Sequence, residues 1–131
     1  MINSYESLVE EIQKASEEGI TIEHAERVAG KSLFVMNALS EQLTFLDKDR
    51  RMRKRGLKAI KSAVRVEEIK KFDKKPTEGQ LEDAVNLNSL VASEEEAYDD
   101  AETHSAEADR QFGIAKESHL YFRSISKGTF G

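Results

Sequence analysis

The sequence predicts an all-α fold: a long helical hairpin with coiled-coil-like packing, an N-terminal helix and a short helix at the turn. Its 131 residues include one proline and seven glycines, so most positions suit a helix. Apolar residues recur in alternating steps of three and four, the spacing of packed helices. Only 38% of residues are apolar and 34% are charged, which leaves too little apolar surface for a thick core. We therefore expect one domain, residues 1–131, completed by oligomerisation.

The first helix is predicted over residues 3–18. Asn3 is a good N-cap, and Glu6 three residues later forms an arrangement like a capping box. Gly19 suits the C-terminal end of this helix. The residues of one apolar face are Tyr5, Leu8, Val9, Ile12 and Ala15.

The second helix should be much longer, over residues 22–72, because Thr21 can cap it and no proline interrupts it. Its heptad seam is Ala29, Ser32, Met36, Leu39, Leu43, Leu46, Arg50, Arg53, Leu57, Ile60 and Val64. This seam exceeds what one thin hairpin can cover. We therefore expect Leu39, Leu43 and Leu46 to contact another subunit.

A break with a short helix is predicted over residues 73–89. Pro76 cannot continue a helix, and Thr77 with Gln80 forms a second capping box. The short helix should bury Leu81, Ala84 and Val85. Asn88 or Ser89 can then cap the next helix.

The last helix is predicted over residues 90–126, followed by a tail, residues 127–131, with Gly128 as the stop. Its seam is Leu90, Glu94, Ala97, Ala101, Ser105, Ala108, Phe112, Ala115, His119 and Phe122. The small residues of this seam allow another helix to approach closely. Large groups crowd its C-terminal end, so Phe112 and Phe122 are also expected to contact another subunit.

Charge is strongly segregated along the chain. Residues 48–75 hold thirteen Lys and Arg against four acids, a net charge of +9. Residues 1–47 hold three bases and nine acids, and residues 76–131 hold four bases and twelve acids. The total of −5 therefore hides a basic block between two acidic segments, and such a pattern concerns partners more than fold.

The basic block indicates a phosphate-binding surface. Successive arginines splay around a helix, so one acidic helix cannot pair them all. The block has no aromatic side chains between its densest charges, so binding should be directed to phosphates and not to particular bases. The competing interpretation pairs the block with the acidic segment Glu94–Asp109 across the hairpin. The candidate nucleic-acid-binding residues are Arg50, Arg51, Arg53, Lys54, Arg55, Lys58, Lys61 and Arg65.

Other chemistries have little support in the sequence. There is no cysteine, so thiolate metal sites and disulfides are excluded. No nucleotide-binding, metalloprotease or serine-hydrolase motif is present, and we expect a non-enzyme without metal or cofactor. No apolar run is long enough to span a membrane, and the N-terminus lacks the features of a signal peptide. We therefore expect a cytoplasmic protein.

The order of segments resembles the phage UvsY-type recombination mediators. The resemblance is best over LDKDRRMRKRGLKAIKSAVRVEEIKKFDKKPTEGQLEDAVNLNSL and at SISKG. It implies a ring-like homo-oligomer that binds single-stranded DNA, displaces the single-strand-binding protein and helps load the recombinase. The family's DNA-binding positions match residues 50–61 here, with Arg53, Lys54, Arg55 and Lys58 foremost. The alternative is a helical structural or adaptor protein, of a virion or an inhibitor, that docks a protein partner through charged helices.

Overall fold

The computed structural model describes residues 3–127, and within that range all regular secondary structure is helical. The four helices are α1 (Ser4–Glu18), α2 (Ile22–Ile69), α3 (Glu78–Asn86) and α4 (Ser89–Ser126). The predicted all-α class is confirmed. Helix α2 ends three residues before the predicted Phe72, and α4 begins one residue before the predicted Leu90. The predicted stop at Gly128 and the rest of the predicted tail, residues 129–131, lie outside the described residues.

The ends of α1 and the start of α2 are fixed by local hydrogen bonds and by one glycine. The Asn3 side-chain oxygen accepts from the Glu6 backbone N–H at 2.8 Å. The Thr21 hydroxyl accepts from the His24 backbone N–H at 3.1 Å. Between the two helices Gly19 has a φ of 89°, a left-handed conformation that glycine adopts without steric cost. The chain therefore reverses sharply after α1.

The break between the long helices also has specific caps. Thr77 and Gln80 form a complete capping box, with hydrogen bonds of 3.0 and 3.1 Å. Asn88, one of the two predicted caps for α4, accepts from the Leu90 backbone N–H at 2.9 Å. These contacts satisfy backbone donors that would otherwise lack partners at helix starts.

The described residues divide into two compact units. The first unit holds the residues up to Thr44 and those from Ala106 onward, and so combines α1 with the start of α2 and the end of α4. Its core is Leu8, Ala15, Ala25, Val28, Ala29, Val35, Leu39, Ala115 and Phe122. Val28 and Val35 are fully buried although they lie outside the predicted seam. The buried face of α2 is wider here because α1 packs on it as well as α4.

A buried polar contact joins α2 and α4 inside the first unit. The Ser32 hydroxyl donates to the Val28 carbonyl at 2.7 Å, and the hydroxyl oxygens of Ser32 and Ser118 are 2.9 Å apart. Nearby, Nδ1 of His119 lies 3.0 Å from the Ala29 carbonyl oxygen. Small side chains on both helices permit this close approach.

The second unit, Phe45–Ser105, combines the rest of α2 with α3 and the start of α4. Its core is Val64, Val85 and Val91, with Leu57 and Ile60 packed against them. The predicted seam position Leu90 is wrong: this side chain is 63% exposed, whereas Val91 is fully buried. At the start of α4, Val91 and not Leu90 faces the core of the second unit. Arg53, also assigned to a seam, is exposed.

The side chains predicted to contact another subunit are placed largely inside the chain's own packing. Leu39 and Phe122 are each 5% exposed and belong to the core of the first unit. Phe112 packs against that same core, and Leu43 and Leu46 are half-buried. Leu39 and Phe122 therefore offer almost no surface to a second copy in this conformation.

Candidate nucleic-acid interface

Three neighbouring cations on α2 are free of ion pairs. Lys54, Arg55 and Lys58 are exposed, and within residues 3–127 no acidic side chain lies within ion-pair distance of them. Lys54 and Lys58 are one helical turn apart, and Arg55 and Lys58 are three residues apart. Their charged groups are therefore neighbours on the helix surface. They form a compact positive patch with unused hydrogen-bond donors.

The cations before this patch are paired within α2 itself. Arg50 Nη2 lies 2.6 Å from Asp47 Oδ1, and Arg51 Nη2 contacts the other oxygen of the same carboxylate. The hydrogen bonds from Arg50 and then Arg51 lower the pKa of Asp47, and Asp47 in turn raises the pKa of Arg50. Asp47 therefore stays ionised and holds these two guanidinium groups along the helix.

Arg50 also faces a small polar group on α4. Tyr98 and Glu102 both add to the electrostatic stabilisation of its charge. A hydrogen bond to Glu102 is the main cause of a raised pKa at Tyr98. Arg50 is half-buried, as expected for a seam position, and is the least available of the eight candidates to an external phosphate.

Arg53 occupies a different side of α2. Its Nε lies 3.7 Å from Asp49 Oδ1, and at 3.6 residues per turn it is roughly 200° around the helix from Arg55. A straight strand lying across Lys54, Arg55 and Lys58 would not reach it. Arg53 is thus geometrically separate from the patch of Lys54, Arg55 and Lys58, although the sequence analysis assigned all four residues to one site.

Two cations beyond the patch form ion pairs with other helices. Lys61 Nζ lies 3.2 Å from Glu95 Oε1 on α4. Arg65 Nη2 lies 2.8 and 3.0 Å from the two carboxylate oxygens of Glu78 on α3. Among the described residues, Lys61 is the one candidate that forms an ion pair with the segment Glu94–Asp109, and Arg50 is stabilised by Glu102 of the same segment. The competing interpretation therefore applies to these two candidates.

The outward cations follow one another in steps of one, three and four residues and form what we call the basic stripe: Arg51, Lys54, Arg55, Lys58, Lys61 and Arg65. At 1.5 Å per residue the stripe is about 21 Å long. A single strand in duplex-like geometry would place about six phosphates over that length, at 3.4 Å each. The stripe therefore matches a short run of backbone phosphates in length, and three of its six cations have a carboxylate partner within the described residues.

Two notable residues of the second unit were not among the predicted site residues. Phe45 is 76% exposed on α2, and the seam at Leu43 and Leu46 already implied that it points outward. Glu78, the partner of Arg65, gave no signal in the sequence, because a pair between helices depends on their relative rotation.

The described part of the chain offers no metal centre or membrane span. No group of three or more His, Asp or Glu side chains in residues 3–127 is arranged to hold a metal ion. Within the same range no helix is long and apolar enough to cross a membrane.

No model of a known protein family matches the chain, and no curated protein or solved structure matches it significantly. The chemistry of the interface is therefore inferred from its own side chains. These are three free cations flanked by cations that are already paired with carboxylates.

Proposed function

We propose that this protein is a non-enzymatic nucleic-acid-binding protein that contacts the phosphates of single-stranded DNA through the basic stripe, and that it acts as a recombination mediator. One observation carries the proposal. Lys54, Arg55 and Lys58 are adjacent, exposed and unpaired within the described residues, although the chain has more acids than bases. A cluster of cations left without partners in an acidic protein favours an external anion.

Phosphate is the anion that suits these groups. Guanidinium and ammonium groups form charge-assisted hydrogen bonds with phosphate oxygens, and phosphate neutralisation supplies most sequence-independent affinity for nucleic acid. The stripe contains no aromatic side chain on which bases could stack. Binding should therefore depend little on base sequence and strongly on salt.

The mediator role rests on the resemblance to UvsY-type proteins. That resemblance supports single-stranded DNA as the ligand, a recombinase and a single-strand-binding protein as partners, and a homo-oligomer as the active form. Because Leu39 and Phe122 are buried in the chain's own core, we assign the contacts between subunits to exposed apolar side chains. Phe45 is the largest of these in the second unit, at 76% exposure.

The proposal is tested by the salt dependence of binding to fluorescently labelled oligo-dT. The variant K54A/R55A/K58A removes the free patch. Each lost phosphate contact lowers the magnitude of the log–log salt slope by roughly 0.7 for single strands, so the triple change should lower it by about 2. Between 50 and 200 mM salt, the advantage of the wild type over the variant should therefore shrink by about 20-fold.

A matched control removes the same charge elsewhere. Lys14, Arg27 and Lys116 are exposed residues of the first unit, and K14A/R27A/K116A also exchanges two lysines and one arginine. This control should keep the wild-type slope. Equal slopes for both triple variants, or a wild type that does not bind oligo-dT, would contradict the proposal.

The adaptor alternative has some support of its own. Phe45 and Leu87 are 76% and 85% exposed, and large exposed apolar groups can mark protein contacts. Lys61 is also partly neutralised by Glu95. An adaptor of this kind would show no steep salt slope with oligo-dT in the wild type or in either triple variant, so the oligo-dT measurement separates the alternatives.

A further inference from the structure

The basic stripe ends in a cleft between α2 and α3. The cleft has a volume of about 260 Å³ and is open to solvent, with Lys58, Lys61 and Arg65 on one wall and Glu78 and Glu82 on the other. Lys58 belongs both to this cleft and to the free patch. The cleft is therefore continuous with the surface to which the proposed function assigns the strand.

Glu78 holds Arg65 in a way that leaves part of the guanidinium unused. Both carboxylate oxygens lie near the same nitrogen, Nη2, at 2.8 and 3.0 Å. The other nitrogens of Arg65 have no hydrogen-bond partner among the described residues. A fork-like pair, with two parallel bonds from two nitrogens, is the stronger arrangement, and this pair does not form it.

The pair is also open to water. The Glu78 side chain is 82% exposed and the Arg65 side chain 44% exposed. Ion pairs with such exposure are weak and are screened by salt. An incoming phosphodiester, whose two charged oxygens match the guanidinium in geometry, can replace the carboxylate.

We propose that this cleft is a phosphate subsite for the strand and that Glu78 occupies it in the free protein as an exchangeable stand-in for a phosphodiester. The inference rests on the proposed function and deepens it. When the strand binds, a phosphodiester oxygen takes the place of the Glu78 carboxylate at Arg65, and the carboxylate turns to solvent. Glu78 therefore lowers the affinity of the protein for DNA.

The test compares two substitutions that remove the same charge from the same cleft. E78Q releases Arg65. E82Q changes the overall charge equally, but Glu82 has no ion pair within the described residues, so it releases no cation. Exposed ion pairs are worth roughly 0.2–1 kcal/mol, which corresponds to about a 1.4- to 5-fold change in affinity. We expect E78Q to bind labelled oligo-dT about 2- to 5-fold more tightly at low salt, and E82Q to show a clearly smaller gain.

The dependence on Arg65 makes the test specific. R65Q alone should weaken binding, and E78Q introduced into R65Q should give no more gain than E82Q does. Helical circular dichroism and melting curves recorded on each variant establish that the fold is retained. Equal gains from E78Q and E82Q, or a gain from E78Q that persists without Arg65, would overturn the subsite.

Failure of the subsite and failure of the proposed function give different results. If the wild type binds oligo-dT and K54A/R55A/K58A weakens that binding, but E78Q matches E82Q, the subsite alone is wrong. If the wild type does not bind oligo-dT at all, the proposed function is wrong and the subsite falls with it.

Discussion

Replacing Ser32 and Ser118 by alanine, singly and together, tests the buried contact between α2 and α4 in the first unit. Ser32 is fully buried and Ser118 is 8% exposed. Because the single hydroxyl proton of Ser32 is donated to the Val28 carbonyl, Ser118 must be the donor across the 2.9 Å contact. The two single changes therefore have different consequences.

The magnitudes depend on which polar groups each change leaves without a partner. S118A removes one hydrogen bond while Ser32 keeps its own, so it should cost about 1 kcal/mol. S32A leaves the Ser118 hydroxyl buried without its acceptor, which should cost roughly 1–3 kcal/mol. The double variant has no stranded hydroxyl, so its loss should be smaller than the sum of the single losses by at least about 0.5 kcal/mol.

Urea denaturation measures all three variants. With a slope of about 2 kcal/mol per molar urea, a loss of about 2 kcal/mol lowers the midpoint by about 1 M. Ser62 is a matched control, because its hydroxyl donates to the Lys58 carbonyl four residues earlier in the same way but is exposed. S62A should change stability by no more than about 0.5 kcal/mol. Losses from S32A and S118A that simply add would show that the two hydroxyls do not meet in solution.

Two further predictions concern the core and the ion pairs of α2. Leu39→Ala should cost roughly 2–5 kcal/mol and the half-buried Leu43→Ala clearly less, as thermal or urea unfolding would show; equal losses would place both residues at the same depth and contradict the packing. The carboxyl of Asp47, whose pKa is lowered first by Arg50, should titrate in an NMR experiment below its ordinary value of 3.8. Since the folded-state pKa is the lower one, the contribution of Asp47 to stability is present above its unfolded pKa and is lost as the pH falls through the folded value. R50Q should move the midpoint back toward 3.8, and an unchanged midpoint would assign the shift to another cause.

The local features of the fold could be predicted because their causes are local. The caps at Asn3, Thr21 and Thr77 depend on side chains within three residues of the helix start. The break around Pro76 depends on a missing backbone donor. Interactions of this range are encoded in short sequence patterns, so the all-helical class could be predicted directly from them.

The arrangement between helices could be predicted only in part. A heptad pattern identifies a face but assumes one partner, so it missed Val28 and Val35, which are buried because α1 also covers α2. At the start of α4 the predicted seam was wrong by one residue, because it assigned Leu90 to the core position that Val91 occupies. The pair of Arg65 with Glu78 depends on how α3 is rotated against α2, and no local pattern records that rotation.

The division of the basic block into paired and free cations likewise depends on geometry. Net charge alone treats Arg53 and Lys54 as equals. In the fold, Asp49 lies beside Arg53, whereas Lys54 has no acidic partner in the described range. The sequence could therefore indicate a region for the interface but not which of its cations lie side by side without a carboxylate partner.

The continuity of α2 has a consequence for the thermodynamics of binding. The basic stripe lies on a backbone that is helical throughout Ile22–Ile69 in the free protein. A flexible basic segment loses conformational entropy when it takes up a fixed shape on nucleic acid, whereas this helix needs only to restrict a few side chains. Under the proposed function, the ordering that accompanies association falls mainly on the DNA strand, whose successive phosphates must adopt the spacing that the helix already provides.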